Sequence, residues 1–216
     1  PARAPHLVLD TMKLPSHFYA MVDPAGGHEP AALARILLEA GARVMQLRLK
    51  HAPGRELLAA ARTIAAMCRE RGAMLVVDDR ADIAMLAGAA GVHLGQDDLP
   101  LEAARRLLGG GTVIGISTHS VEQAITAERG GADYVGFGPL YPGGLRNNAA
   151  GKGLAMLREV RAAVSIPIVA IGGITEATMP EALAAGADAC AIITDVVRAP
   201  DVAAKVRAIL ALHRSP

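Results

Sequence analysis

MLVVDDRADIAMLAGAAGVHLGQDD (74–98) decides the fold. A short apolar run ends in two aspartates and an arginine, an Ala-rich stretch follows, and a second apolar run leads again to two aspartates. The unit reads as strand, helix, strand. Outward from it the pattern recurs in MQLRLK (45–50), VIGISTH (113–119), YVGFGP (134–139), IVAIGG (168–173) and CAIIT (190–194). With a further run at 18–22, strands are expected at 18–22, 44–48, 73–77, 91–94, 112–116, 133–137, 167–171 and 189–193. Helices are expected from 30 onward, at 54–71 and at 121–129, where apolar residues recur at spacings of three and four with charges opposite. Eight strands alternating with helices specify the α/β class and a single (β/α)8 TIM barrel at 17–216, behind a short lead-in at 1–16. The lead-in, with three prolines and an apolar stretch at 7–12, is read as a turn or more of helix without chemistry. Every candidate chemical group then falls at the carboxyl end of a strand, where such barrels keep their active sites.

Composition narrows the function classes. The 216 residues suit one domain. Charge is nearly balanced, 22 basic against 21 acidic, and only five residues are aromatic, so neither the field nor the stacking platform of a nucleic-acid binder is present. Apolar runs bounded by Gly, Asp or Pro are too short to cross a bilayer. Cys68 and Cys190 lie in apolar patterns and are expected to be buried free thiols, which suits a reducing compartment; a disulfide between them is the alternative. No charged-then-apolar leader opens the sequence, so a soluble, cytoplasmic protein is expected. Self-association as a homo-oligomer is left open.

Gln46, Arg48 and Lys50 alternate and so project to one side, where the two cations face a bound anion at the barrel mouth; the competing reading is a solvated strand end. Asp78 and Asp79 close the third strand, Asp97 and Asp98 follow the fourth. Carboxylates from neighbouring strand ends can share one hard cation whose shell is completed by substrate phosphate and water, although Asp97, and second to it Asp78, also fit helix N-caps. Ser117 either donates to a phosphate oxygen or caps the next helix, Ser120 being better placed for the cap. His119 is a proton carrier or a hydrogen-bonded structural residue. IGG (171–173) and IIT (192–194) close the last two strands, where barrels commonly build a phosphate cup from backbone N–H groups; a tight turn at Gly172 and Gly173 is the alternative. The one long irregular connection spans 138–152, a length that is commonly functional.

The motifs QLRLK (46–50), VDDR (77–80), GVHLGQDDLP (91–100), GISTHS (115–120), ADYVGFGPLYP (132–142) and IPIVAIGGIT (166–175), in that order, resemble the thiamine phosphate synthase family across about 18–212. The resemblance implies a Mg2+-dependent transferase that joins a pyrimidine methyl diphosphate to thiazole phosphate and releases pyrophosphate. It implies that Gln46, Arg48 and Lys50 contact the pyrimidine diphosphate, Asp79 and Asp98 hold Mg2+, and Ser117 touches the diphosphate or the pyrimidine. Gly173, Ile193 and Thr194 are implied to bind the thiazole phosphate, chiefly through backbone N–H groups.

Two positions depart from the family pattern. Asp78 stands where the family usually has Asn, adding negative charge to a site for an anion. In the loop after strand six, Gly143, Gly144, Leu145 and Arg146 replace a threonine-rich run ending in Lys, so the hydroxyl donors are lost while Arg146 keeps a cation; Lys152 is the other candidate cation. The alternatives carried forward are a thiazole tautomerase-like isomerase using His119, against which Asp79 and Asp98 count, and a non-catalytic paralogue that binds thiazole phosphate or a thiamine precursor.

Overall fold

In a computed structural model, which describes residues 13–143 and 150–212, the apolar runs become eight parallel strands in a closed barrel. The strands are β1 (Phe18–Val22), β2 (Val44–Leu47), β3 (Met74–Asp78), β4 (Gly91–Leu94), β5 (Val113–Thr118), β6 (Tyr134–Phe137), β7 (Ile168–Ala170) and β8 (Ala189–Ile192), each paired with its sequence neighbour, and β8 with β1. Helices α1 (Pro30–Glu39), α2 (Gly54–Glu70), α3 (Ala81–Ala87), α4 (Leu101–Leu108), α5 (Val121–Arg129), α6 (Gly153–Ala163), α7 (Met179–Ala184), α8 (Thr194–Val197) and α9 (Val202–Ala211) surround it. The expected barrel is therefore present. Of the lead-in, residues 1–12 lie outside the described residues, and Leu14 packs against the barrel interior.

Two apolar layers follow from the strand period of two. Outward-facing residues such as Phe18, Met45, Leu47, Leu75 and Val77 pack under the helices, and α2 answers with Leu57, Ala61, Ile64, Ala65 and Cys68 on one face. Each large aliphatic side chain buried there contributes about 1.5–3 kcal/mol. Inward-facing Tyr19, Met21, Val44, Val76, Tyr134, Val169, Ala189 and Ala191 fill the barrel. Both cysteines are buried, Cys68 on α2 and Cys190 in β8. At the amino-terminal rim, Asp133 pairs with Arg105 (2.6 Å) and accepts from the Ile114 amide, while Asp188 pairs with Arg161 (3.0 Å) and accepts from the Ile168 amide. These matched contacts tie the β5–β6 and β7–β8 registers from below, leaving the carboxyl rim free for loops. No helix among the described residues is long and apolar enough to cross a membrane.

Candidate active site

At the carboxyl ends of the strands lies a cavity of about 360 Å³. Gln46 is buried in its floor, in β2, with Nε2 donating to Tyr19 Oη (3.3 Å). The strand stops at Leu47, and Arg48 and Lys50 follow in the turn before α2, still lining the cavity. Arg48 is half-buried and Lys50 exposed, and both are ion-paired there. Arg48 Nη1 pairs with Asp23 Oδ2 (2.6 Å), and Asp23 is fixed by accepting from the Ala25 amide (2.9 Å). Lys50 Nζ lies 2.9 Å from Asp78 Oδ2 and 2.5 Å from Asp79 Oδ2, while Arg48 Nε is 3.8 Å from Asp78. Acid and base thus alternate along the rim from Asp23 to Asp79.

Burial raises the Asp78 carboxyl to about 6 against the pull of Lys50, with the Asp79 charge adding to the rise. Burial alone would lower the Lys50 ammonium, but its contacts with Asp79 and Asp78 outweigh that and raise it. Asp79 has φ +60°, a left-handed conformation uncommon outside glycine, and its amide donates to the His93 carbonyl (2.8 Å). Asp98 Oδ2 accepts from the Gly95 amide (2.6 Å). Its pKa is nonetheless raised, by burial and by the carboxyl group of Asp79 beside it. Two adjacent carboxylates are unfavourable until they share a proton or a cation.

The expected caps at Asp97 and Asp78 are absent: Asp78 ends β3, α3 starts after Arg80, α4 starts after Pro100, and no side chain caps either helix. At α4 the proline presets the entering backbone without a capping side chain. Ser120 does cap α5, accepting from the Gln123 amide (3.2 Å). Ser117 is left within β5, its Oγ 2.8 Å from His93 Nε2. The ring of His119 is anchored, Nδ1 lying 2.5 Å from the Gly138 carbonyl oxygen, and its amide donates to Gln123 Oε1 (2.7 Å).

Gly172 and Gly173 take φ +84° and +69°. A Cβ at 172 would lie 2.5 Å from that of Pro139, and one at 173 would lie 2.8 Å from the Tyr141 carbonyl oxygen. The glycines serve a tight turn and a close approach at once: Leu140 and Tyr141 donate to the carbonyls of Ile171 (2.7 Å) and Gly172 (3.1 Å), docking the β6–α6 loop on the end of β7. Gly173, Ile193 and Thr194 line the cavity, and no backbone partner is seen for their amides among the described residues. Gly143 also borders it. Gly144, Leu145 and Arg146 lie outside the described residues.

Sequence reasoning did not single out Asp23, Tyr19, His93 or Tyr134, yet all except Asp23 line the cavity. The available signal was a polar residue at an inward position of an otherwise apolar strand, as in the VHL of β4. Burial lowers the His93 imidazole from 6.5 to about 4. The unfolded chain therefore takes up a proton on this residue between those values while the folded one does not, so stability is full above about pH 6.5 and falls toward pH 4. The loss from this residue is expected to be about 3 kcal/mol. Thermal unfolding from pH 7 to 4.5 checks it: a His93→Gln variant should show a shallower decline than the wild type.

Residues 18–196 match the family model described as thiamine monophosphate synthase. The thiamine-phosphate synthase of Methanoculleus marisnigri is 48% identical over 184 residues, covering 85% of this chain and 87% of that protein. That of Methanospirillum hungatei is 46% identical over 184 residues, covering 85% and 89%. Among solved structures, the thiamine phosphate pyrophosphorylase from Pyrococcus furiosus superposes with a TM-score of 0.83 at 38% identity, covering 89% of this chain and 92% of that one. Because the matched residues take in all eight strands and the loops that wall the cavity, the chain belongs to the thiamine monophosphate synthase family.

Proposed function

We infer that this protein joins 4-amino-2-methyl-5-(diphosphomethyl)pyrimidine to thiazole phosphate, giving thiamine phosphate and pyrophosphate. The observation that carries the reading is the arrangement of the rim: two cations beside two adjacent carboxylates on one side of the cavity, and on the other lining residues whose amides have no backbone partner among the described residues. A diphosphate suits the first side and a monophosphate the second.

Mg2+ fits the donor set. Asp79 and Asp98 supply two hard oxygen ligands that repel one another until a cation is shared, and no group of three or more His, Cys, Asp or Glu among the described residues encloses a metal by itself. An incomplete protein shell is what a cation completed by substrate phosphate and water requires. Bound there, Mg2+ would neutralise charge on the departing pyrophosphate.

The protein's own groups do the rest. Arg48 and Lys50 exchange their carboxylate partners for diphosphate oxygens, Arg48 as a planar donor fork and Lys50 as a point charge. Gln46 and Ser117 meet the pyrimidine diphosphate from the floor, with Asp78 and His119 alongside. The pyrimidine methylene loses its bond to the diphosphate oxygen as the thiazole nitrogen supplies the new electron pair, so no protein nucleophile is required. Gly173, Ile193 and Thr194 hold the thiazole phosphate through backbone N–H groups. Of the two candidate loop cations, Arg146 lies outside the described residues, and Lys152 is exposed just before α6 and is not among the residues that line the cavity. A cytoplasmic location goes with this reading, supported by two buried cysteines.

Incubation with both substrates and Mg2+ tests the function: thiamine phosphate should form, and its absence over long incubation would overturn the reading. Gly173→Leu tests the second subsite. Its side chain must displace the backbone carbonyls of Tyr141 and Pro142, so the Michaelis constant for thiazole phosphate is expected to rise by about tenfold or more, and that for the pyrimidine diphosphate far less. An equal rise for both counts against the placement.

A further inference from the structure

Beneath the rim, the barrel interior holds a continuous hydrogen-bonded chain. Gln46 Nε2 lies 3.3 Å from Tyr19 Oη, Tyr19 Oη 2.8 Å from Tyr134 Oη, Tyr134 Oη 3.0 Å from His93 Nδ1, and His93 Nε2 2.8 Å from Ser117 Oγ. Gln46, Tyr19, His93 and Tyr134 are all buried. The barrel leaves room for this chain at specific places: a Cβ at Gly115 would lie 2.0 Å from Tyr134 Cζ, and one at Gly136 would lie 2.9 Å from His93 Cε1. The imidazole stacks on the Tyr134 ring with centroids 5.5 Å apart.

Each link constrains the next, because a hydroxyl has one hydrogen and a neutral imidazole has one. The amide nitrogen of Gln46 only donates, so Tyr19 accepts there, and its own hydrogen, buried and needing an acceptor, goes to the one other partner of this hydroxyl among the described residues, Tyr134. Tyr134 must then donate to His93 Nδ1. That places the imidazole hydrogen on Nε2, where it is given to Ser117, and the Ser117 hydrogen is left to face the cavity. If the Gln46 amide is turned over, with Oε1 toward Tyr19, every link reverses and Ser117 offers only lone pairs.

We propose that the Gln46 amide orientation, transmitted through Tyr19, Tyr134 and His93, fixes Ser117 as a hydrogen-bond donor to an acceptor atom of the pyrimidine diphosphate. This rests on the synthase reading for the ligand, but the direction of the chain does not. Tyr19, Tyr134 and His93 are positioning residues, and Ser117 is the group that meets substrate. Both ring nitrogens of the buried imidazole meet hydroxyl oxygens and neither meets a carboxylate, the surroundings of a neutral, single-hydrogen link. The arrangement joins two contacts that would otherwise be independent, so the orientation of the Gln46 amide also sets the polarity of Ser117.

The test has an arm that needs no substrate. Nitrogen chemical shifts of the ligand-free protein labelled at histidine, with the His93 signals identified by their loss in His93→Gln, should report Nε2 protonated and Nδ1 as acceptor. Tyr19→Phe, which keeps the ring and removes the link to Gln46, should give a mixture of tautomers. A dominant Nδ1–H form, or a tautomer unmoved in Tyr19→Phe, overturns the proposal. In the kinetic arm, Tyr134→Phe should lower kcat/KM for the pyrimidine diphosphate by about tenfold, leave the Michaelis constant for thiazole phosphate in place, and have no further effect once Ser117→Ala is present. A loss that adds to that of Ser117→Ala marks Tyr134 as merely structural and overturns the proposal. If the wild type forms no thiamine phosphate, the synthase reading falls while the tautomer measurement still decides the direction of the chain.

Discussion

Asp79→Ala and Asp98→Ala are each expected to lose Mg2+-dependent formation of thiamine phosphate by on the order of a thousandfold, with the barrel intact. The size follows from the charge at the reacting centre. A departing pyrophosphate is stabilised by whatever positive charge meets it, and removal of either carboxylate weakens the hold on the metal that supplies most of it. Folding should be spared because both side chains sit at the solvent-facing rim. The Asp98 carboxyl is, moreover, made harder to ionise by Asp79. Relief of that repulsion should leave the melting temperature of Asp98→Ala without metal near that of the wild type, whereas Asp79→Ala also gives up its ion pair with Lys50 and puts alanine at φ +60°, so its melting temperature should fall by about a few degrees. Turnover against Mg2+ concentration, with circular dichroism of each variant, checks both parts. Full activity of both variants removes the metal assignment.

The largest effect on stability is expected at Gly115, inside the barrel and far from solvent. Gly115 is opposite Tyr134 in the β5–β6 register, and an added methyl would lie 2.0 Å from Tyr134 Cζ and 2.5 Å from its hydroxyl oxygen. The ring has nowhere to retreat: it is 1% exposed, stacked on His93 and packed beside Tyr19. Gly115→Ala must therefore distort strands or turn the ring out of its rotamer, at a cost of about 3 kcal/mol or more, the upper end for an overpacked core. Denaturant unfolding measures this. A variant within about 0.5 kcal/mol of the wild type would mean that the interior is looser than described.

Much of this molecule is legible in its sequence because the barrel repeats one physical instruction eight times. The expected strands at 18–22 and 91–94 have the observed bounds, and the others differ by a residue or two at their ends. Those differences have causes. β5 runs on to Thr118 because Ser117 and Thr118 still pair with Gly136 and Phe137, and β7 stops at Ala170 where the β6–α6 loop takes over the carbonyl of Ile171. Placement of Gln46, Arg48, Lys50, Asp79, Asp98, Ser117 and Gly173 around one cavity follows from their position at strand ends.

Pairing was not legible. Strand alternation gives the direction of a side chain and is silent on which inward side chains meet across the barrel, so the chain from Gln46 through Tyr19, Tyr134 and His93 to Ser117 appears only in three dimensions. Asp23 was hidden for a similar reason, lying 25 residues before its partner Arg48 in a turn with no motif of its own. Asp97 and Asp78 misled because an acidic residue just before a helix has the composition of a cap, whereas the entry to α4 is set by Pro100 and Asp78 is still in β3. The departing loop residues Gly144, Leu145 and Arg146 lie outside the described residues.

A crystal structure of the protein with Mg2+, pyrophosphate and thiamine phosphate tests the central claim most directly. Mg2+ is expected to be held by Asp79 and Asp98 in the presence of pyrophosphate, with Arg48 and Lys50 turned from their carboxylate partners onto the pyrophosphate, and the phosphate of thiamine phosphate against the amides of Gly173, Ile193 and Thr194. Mg2+ bound away from both aspartates, or the thiamine phosphate seated outside this cavity, would contradict it.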